Sequence, residues 1–182
     1  MRTSRLLLAP LLAAALVSAA CSGGANPLDP QGSTVSAQPQ ISPSLLGDLL
    51  GKKYLSCAAL PAKSESSSVG LLGGVIRVGP HKLVIPPGAV LNRTTITARI
   101  TDGDTSNSIQ FSPEGLKFRV PPVLVISYAN CTVSGGMLGL LQFAYTTDDL
   151  SSILEILPAV ANPFNQTVVG TISHFSRYAV AY

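Results

Sequence analysis

The sequence predicts an all-β fold, a β-sandwich of short strands. Two observations carry that expectation. From residue 73 onward, about nine or ten short runs rich in Val, Ile, Thr and aromatic residues are separated by Gly, Pro, Asn and Asp turn signals. No helical pattern alternates with them, as a parallel sheet with crossover helices would require. Composition agrees. Only 12% of the 182 residues are charged, and Ser, Thr, Gly and Val are frequent, as in extracytoplasmic β-proteins rather than charged cytosolic enzymes. Ahead of the sandwich the sequence predicts a signal peptide, a disordered tether and a short helix.

Residues 1–20 read as the signal peptide. Arg2 and Arg5 make a positive start, residues 6–17 are apolar apart from the kink-prone Pro10, and Ser18-Ala19-Ala20 are small. The apolar run is shorter than the ~20 residues that span a bilayer, and it has the length of a secretion signal. Leu16-Val17-Ser18-Ala19-Ala20-Cys21 resembles the lipobox of bacterial lipoproteins, which are cut before a cysteine that carries diacylglycerol. Ser18 stands where that motif usually has Leu, and Leu16 lies two places earlier. The resemblance implies lipid on Cys21, with acyl chains such as palmitate, and export to the bacterial cell envelope. Ser22 follows the cysteine in place of the retention Asp, which points to the outer membrane. The other reading is ordinary cleavage after Ala20, leaving Cys21 a plain thiol. Anchoring needs two chains or more: each buried CH₂ contributes ~0.8 kcal/mol, and a single myristoyl chain binds only marginally.

Charge narrows the partners. The chain has 12 basic and 9 acidic residues. Without Arg2 and Arg5 the balance is ten against nine, near neutral, which removes the electrostatic case for nucleic acid. Three cysteines are present. With Cys21 lipidated, Cys57 and Cys131 remain, an even number that reads as one disulfide in an oxidising compartment. Two buried free thiols are the alternative.

Residues 21–40 form the lipidated tether. They are rich in Gly, Pro, Ser, Gln and Asn and cannot build a core. Residues 41–68 read as a short helix followed by a loop. Ser42-Pro43 is a cap and first-turn pair, and Leu45, Leu46, Leu49, Leu50 and Tyr54 follow at near-helical spacing. Gly47 and Gly51 weaken the helix by ~1 kcal/mol each. The helix is expected to deliver Cys57 to the domain, and residues 61–68 to be a polar loop.

Residues 69–182 form the sandwich domain. Strands are expected at 75–78 and 82–85, with Gly79-Pro80-His81 as the turn between them and His81 exposed. Next come 94–101, where Ile96, Ala98 and Ile100 share one face, then 108–112, 116–120 and 123–128. The last four are 140–146, 153–157, 167–173 and 178–182. Pro86-Pro87-Gly88, Pro113-Glu114-Gly115 and Pro121-Pro122 interrupt the runs. Proline presets φ and glycine permits a positive φ, so these are hard turns that place strands.

Several of these motifs occur together in a known order. Gly73-Gly74-Val75-Ile76-Arg77-Val78 precedes Leu83-Val84-Ile85-Pro86-Pro87-Gly88-Ala89-Val90. Thr95-Ile96-Thr97 follows, then Phe111-Ser112-Pro113-Glu114-Gly115-Leu116-Lys117-Phe118, then Val123-Leu124-Val125-Ile126. The chain ends in His174-Phe175-Ser176-Arg177-Tyr178-Ala179-Val180. From residue 70 to 182 this resembles the ZU-five domain, named from zonula-occludens proteins and netrin receptors and found also in ankyrins. The resemblance implies a β-sandwich and a non-enzymatic protein-docking or structural role. The spectrin that some animal relatives bind does not transfer to a bacterial lipoprotein, so the expected partner is an unidentified envelope protein or surface.

One alternative chemistry belongs to the same resemblance. In some relatives a His-Phe-Ser triplet cleaves itself between Phe and Ser. Here Ser176 Oγ would attack the Phe175 carbonyl with His174 as base, forming an ester that water opens. The bland reading has Phe175 and Tyr178 packing the core while His174 and Ser176 bond to backbone. Asp102, Asp104 and Asn107 have some Ca²⁺-loop character but lack the Gly and distal Glu of an EF-hand, so a solvated hairpin turn is expected there. His81 and His174 are too few for a zinc site, and no phosphate loop or nucleophile elbow occurs. The sequence therefore implies no cofactor. Asn92, Asn130 and Asn165 open N-x-T sequons, which matter only in a eukaryotic secretory route.

Overall fold

The computed structural model describes residues 51–182. The signal peptide, Cys21, the tether of 21–40 and residues 41–50 of the expected helix lie outside the described residues. The strands among them are β1 (Lys63–Val69), β2 (Gly74–Val78), β3 (His81–Ile85), β4 (Thr94–Ile100), β5 (Ile109–Ser112) and β6 (Val123–Ser127). After a 3₁₀ turn at Gly135–Leu140 come β7 (Gln142–Thr146), β8 (Ile153–Leu157), β9 (Ala159–Asn162), β10 (Thr167–Thr171) and β11 (Arg177–Ala181). They make two antiparallel sheets, one in the order β1-β4-β5-β11-β7-β8 and one in the order β2-β3-β6-β10-β9. The expected all-β sandwich is what forms.

Alternation explains the sheets. In β4, Ile96, Ala98 and Ile100 are buried while Thr95 and Arg99 are exposed. In β3, His81, Leu83 and Ile85 point inward. Ala98 faces Phe111 across the β4–β5 pair, and Tyr178 faces Ile109 across β11–β5, so these side chains share the inner face. They join Leu124, Ile126, Phe143, Val168 and Phe175 in one core. The two sheets approach closely where β10 carries Gly170: a Cβ there would lie 2.9 Å from the Phe143 ring. All five residues of β11 are buried, because its outer face is covered too. Ala144, Ile153 and Ala181 form a second cluster there with Tyr54 and Ile156.

Four expectations are corrected. Residues 61–68, expected as a polar loop, contain most of β1, which pairs with β4 from Lys63 to Val69. It is an edge strand with both faces largely solvated, so ladder hydrogen bonds hold it without an apolar face. Residues 51–60, expected to end a helix, are extended. Gly51 has φ +62°, the Lys53 and Leu55 amides donate to the Tyr182 and Val180 carbonyls, and the Tyr182 amide returns a bond to Lys53. Leu55 thereby enters the main core while Tyr54 covers the outer cluster.

Residues 116–120 form no strand; Lys117 makes only an isolated bridge to His174, and Pro121-Pro122 beyond it lack the amides a ladder needs. β9, which no sequence pattern announces, lies between Pro158 and Pro163 on a sheet edge, where proline is tolerated. Finally, His81 is not an exposed turn residue. It opens β3 and is 1% exposed.

Candidate functional site

The loops that carry the motifs meet at one end of the sandwich. These are residues 70–73 (β1 to β2), 86–93 (β3 to β4), 113–122 (β5 to β6) and 172–176 (β10 to β11). The Gly88 amide donates to the Leu71 carbonyl at 2.8 Å, and the Arg119 amide donates to Ala89 at 3.0 Å. The Gly115 amide donates to the Phe175 carbonyl and the Phe175 amide to Leu116, each at 2.9 Å. Ile172 N–H reaches the Pro122 carbonyl at 3.1 Å. The Phe175 ring pins this end: it stacks on Phe111 at 5.1 Å and meets Phe118 edge-on at 4.8 Å.

What this end shows to solvent is aliphatic and basic. Leu71, Leu72, Leu91 and Val120 are exposed, Leu72 by 88%. Arg93, Lys117, Arg119 and Glu114 are exposed around them. Apolar side chains thus stand exposed on adjoining loop tips, with cations beside them.

The triplet His174, Phe175 and Ser176 sits beneath that surface. Phe175 and Ser176 are buried. His174 Nδ1 lies 3.4 Å from the Phe175 carbonyl oxygen, and the Tyr178 hydroxyl donates to the His174 carbonyl at 2.7 Å. Burial holds the Tyr178 phenol above its usual range, so it remains a donor. The Ser176 carbonyl accepts the Phe111 amide at 3.0 Å. Among the described residues no hydrogen bond joins the His174 ring to the Ser176 hydroxyl. The Gly115 amide on the Phe175 carbonyl would favour attack there.

The opposite end holds the disulfide. Cys57 and Cys131 are bonded, S–S 2.05 Å, and the Cys57 amide donates to Thr105 at 2.8 Å. Here the expectation of a solvated turn at Asp102, Asp104 and Asn107 is corrected. Asp102 is exposed, but Asn107 is buried with φ +51°. Its amide donates to the Ser127 carbonyl at 2.8 Å and to Asn130 Oδ1 at 2.6 Å, and Asn130 donates back at 2.9 Å. Asp104 accepts the amide and hydroxyl of Ser106 on one oxygen and those of Ser108 on the other. Burial opposes its ionisation, but these four donors outweigh burial and hold its carboxyl below the usual range. With its oxygens so engaged, Asp104 organises the loop. Among the described residues no group of three metal-ligating side chains occurs.

His81 borders this network. Its Nδ1 accepts the Ser127 amide at 3.1 Å, and its buried Nε2 has no partner. Burial pushes its pKa down to about 4, against a smaller upward pull from Asp104, so the ring is neutral near pH 7. Sequence reasoning missed this cluster, although Asp104-Thr105-Ser106 carries the Asx-turn pattern that announces it. No known family model matches the chain, and no curated protein matches it.

Proposed function

We propose that this chain is a bacterial lipoprotein held at the cell envelope, at the outer membrane, by lipid on Cys21. Its ZU-five-like sandwich is a non-enzymatic module that docks an envelope protein or serves as a structural contact. One observation carries this reading. The motif loops 70–73, 86–93, 113–122 and 172–176, far apart in sequence, gather at the end away from residues 51–57, where the chain leads back toward Cys21. There they present Leu71, Leu72 and Leu91 beside Arg93 and Arg119. A tethered module is best served by a binding surface at the end away from residues 51–57, where the described chain begins.

In-cell cross-linking of the full-length protein tests the docking surface. A specific envelope protein should be captured by the natural chain and lost in the Leu72→Asp/Leu91→Asp double variant. Capture that survives the double variant sinks the assignment of this surface. Intact-mass analysis of the membrane-extracted protein tests the anchor: the mass should begin at a lipid-modified Cys21 and run unbroken to Tyr182.

The alternative is self-processing between Phe175 and Ser176, and the Gly115 amide on the Phe175 carbonyl favours it. Ser176 Oγ would displace the peptide nitrogen, which takes the proton through His174. Water would then open the ester to leave a Phe175 carboxylate and a Ser176 amino terminus. A mass break after Phe175 would establish this route.

A further inference from the structure

A second apolar surface lies at the end where the described chain begins. Phe164 tops the β9–β10 turn and is 97% exposed; Val160 is 73% exposed and Leu140 55%. Leu138 and Pro163 together line two shallow grooves, one of them lined by Val160 as well, so the 3₁₀ turn that carries Leu140 and the turn that carries Phe164 adjoin. The Asn162 side chain accepts the Phe164 amide at 3.0 Å, fixing the turn that turns the ring outward. This turn is at the disulfide end: the Tyr128 amide donates to the Gln166 carbonyl, and the Cys131 amide to Tyr128.

The segments that carry the patch hold no carboxylate, and the nearest acidic loop, 101–108, has its Asp104 oxygens engaged by Ser106 and Ser108 while Asp102 is exposed. Residues 130–147 and 156–182 contain no Asp or Glu. Lys52 and Lys53 lie where the chain comes in, and Lys52 Nζ donates to Gln142 Oε1 at 3.0 Å, one residue from Leu141 in the groove wall. A fully exposed aromatic ring on a convex turn has no concavity to fill. With aliphatic neighbours, lysines nearby and no carboxylate on its own segments, it matches the chemistry of the bilayer interface, where Phe and Leu side chains bury at the headgroup boundary and lysines meet anionic lipid.

We infer that Phe164, Val160 and Leu140 form a lipid-docking face that lays the disulfide end of the domain on the surface of the membrane. The inference rests on the anchor reading above. About thirty residues separate Cys21 from Gly51, so a lipid-held chain makes docking an intramolecular event, for which weak insertion suffices. It would also leave Leu71, Leu72 and Leu91 turned away from the bilayer.

The chain contains no tryptophan, so a single one can report. The lipidated Phe164→Trp and Leu72→Trp variants would be reconstituted into vesicles of phosphatidylethanolamine and phosphatidylglycerol, with and without brominated acyl chains. Flotation with the vesicles checks the anchor separately, and its failure would remove the anchor reading and this inference with it. With the anchor in place, the Phe164→Trp emission should shift to shorter wavelength and lose intensity to the brominated lipid, and the Leu72→Trp emission should do neither. Water-like, unquenched emission from the Phe164→Trp variant overturns the inference. So does equal quenching of both variants, or a shift that the brominated lipid does not touch, which would mark self-association.

Discussion

His81 accepts the Ser127 amide through Nδ1, which leaves the proton on Nε2, a buried nitrogen with no acceptor. A second proton would cost that hydrogen bond and place a charge in the core. The folded pKa of about 4 lies below the ordinary 6.5, so the unfolded chain binds the extra proton first. Its stability contribution is therefore complete above pH 6.5 and is lost as pH falls toward 4. The expected loss over that window is about 3 kcal/mol, read from urea midpoints at a series of pH values. In the His81→Asn variant, whose side-chain oxygen stands near the place of Nδ1, the slope between about pH 5 and 6.5 should disappear, leaving only the carboxylate part nearer pH 4, where Asp104 titrates in the unfolded chain. Phe175 makes a different residue-scale argument. It is fully buried between Phe111 and Phe118, so Phe175→Ala should cost about 3–5 kcal/mol by lost transfer and cavity terms. A denaturation midpoint shifted by less than half of that would mean the loop end repacks.

At the scale of elements, turns and the disulfide place strands that propensity leaves loose. Gly73 joins β1 to β2 with φ +72°, and a Cβ there would stand 2.2 Å from the Ile85 carbonyl oxygen. That neighbour is backbone and cannot swing aside. Gly73→Ala should therefore cost at least ~2 kcal/mol in thermal or urea unfolding, more than an alanine at the unobstructed Gly88. The disulfide spans 74 residues; chain entropy for a loop of that size predicts about 4.5 kcal/mol lost in the Cys57→Ser/Cys131→Ser variant. Amide exchange should also quicken first at Lys53 and Leu55, whose bonds to Tyr182 and Val180 hold residues 53–55 beside β11. Unchanged protection at those amides would show that β11 holds the segment without the disulfide.

At the scale of the whole molecule, the two apolar surfaces belong to opposite ends and neither takes part in the core. Leu72→Asp and Phe164→Ser should each leave stability within about 0.5 kcal/mol of the natural chain, measured by the same urea titrations, while altering partner or lipid contact. A larger loss in either would make that side chain part of the fold.

Much of the architecture was legible in the sequence. Most of β2 through β8 and β10 announce themselves because burying one face writes a period of two into the residues, while β11, buried on both faces, shows as a short apolar run ahead of the chain's last residue. The Cys57–Cys131 pair followed from counting thiols. β1, β9 and residues 53–55 did not announce themselves. Each is held by ladder bonds to a neighbour, and a backbone hydrogen bond writes no pattern into side chains. The triplet His174-Phe175-Ser176 was visible as a motif, but its packing under Gly115, Leu116 and Phe118 depends on a loop some sixty residues away. His81 was hidden for the same reason: a histidine after Gly-Pro is locally a turn residue, and only the β3–β6 pairing closes over it. Local alternation thus determined the class and most strands. Which strand is an edge, which face is covered twice and which loops share an end were decided by contacts distant in sequence, which only the folded chain brings together.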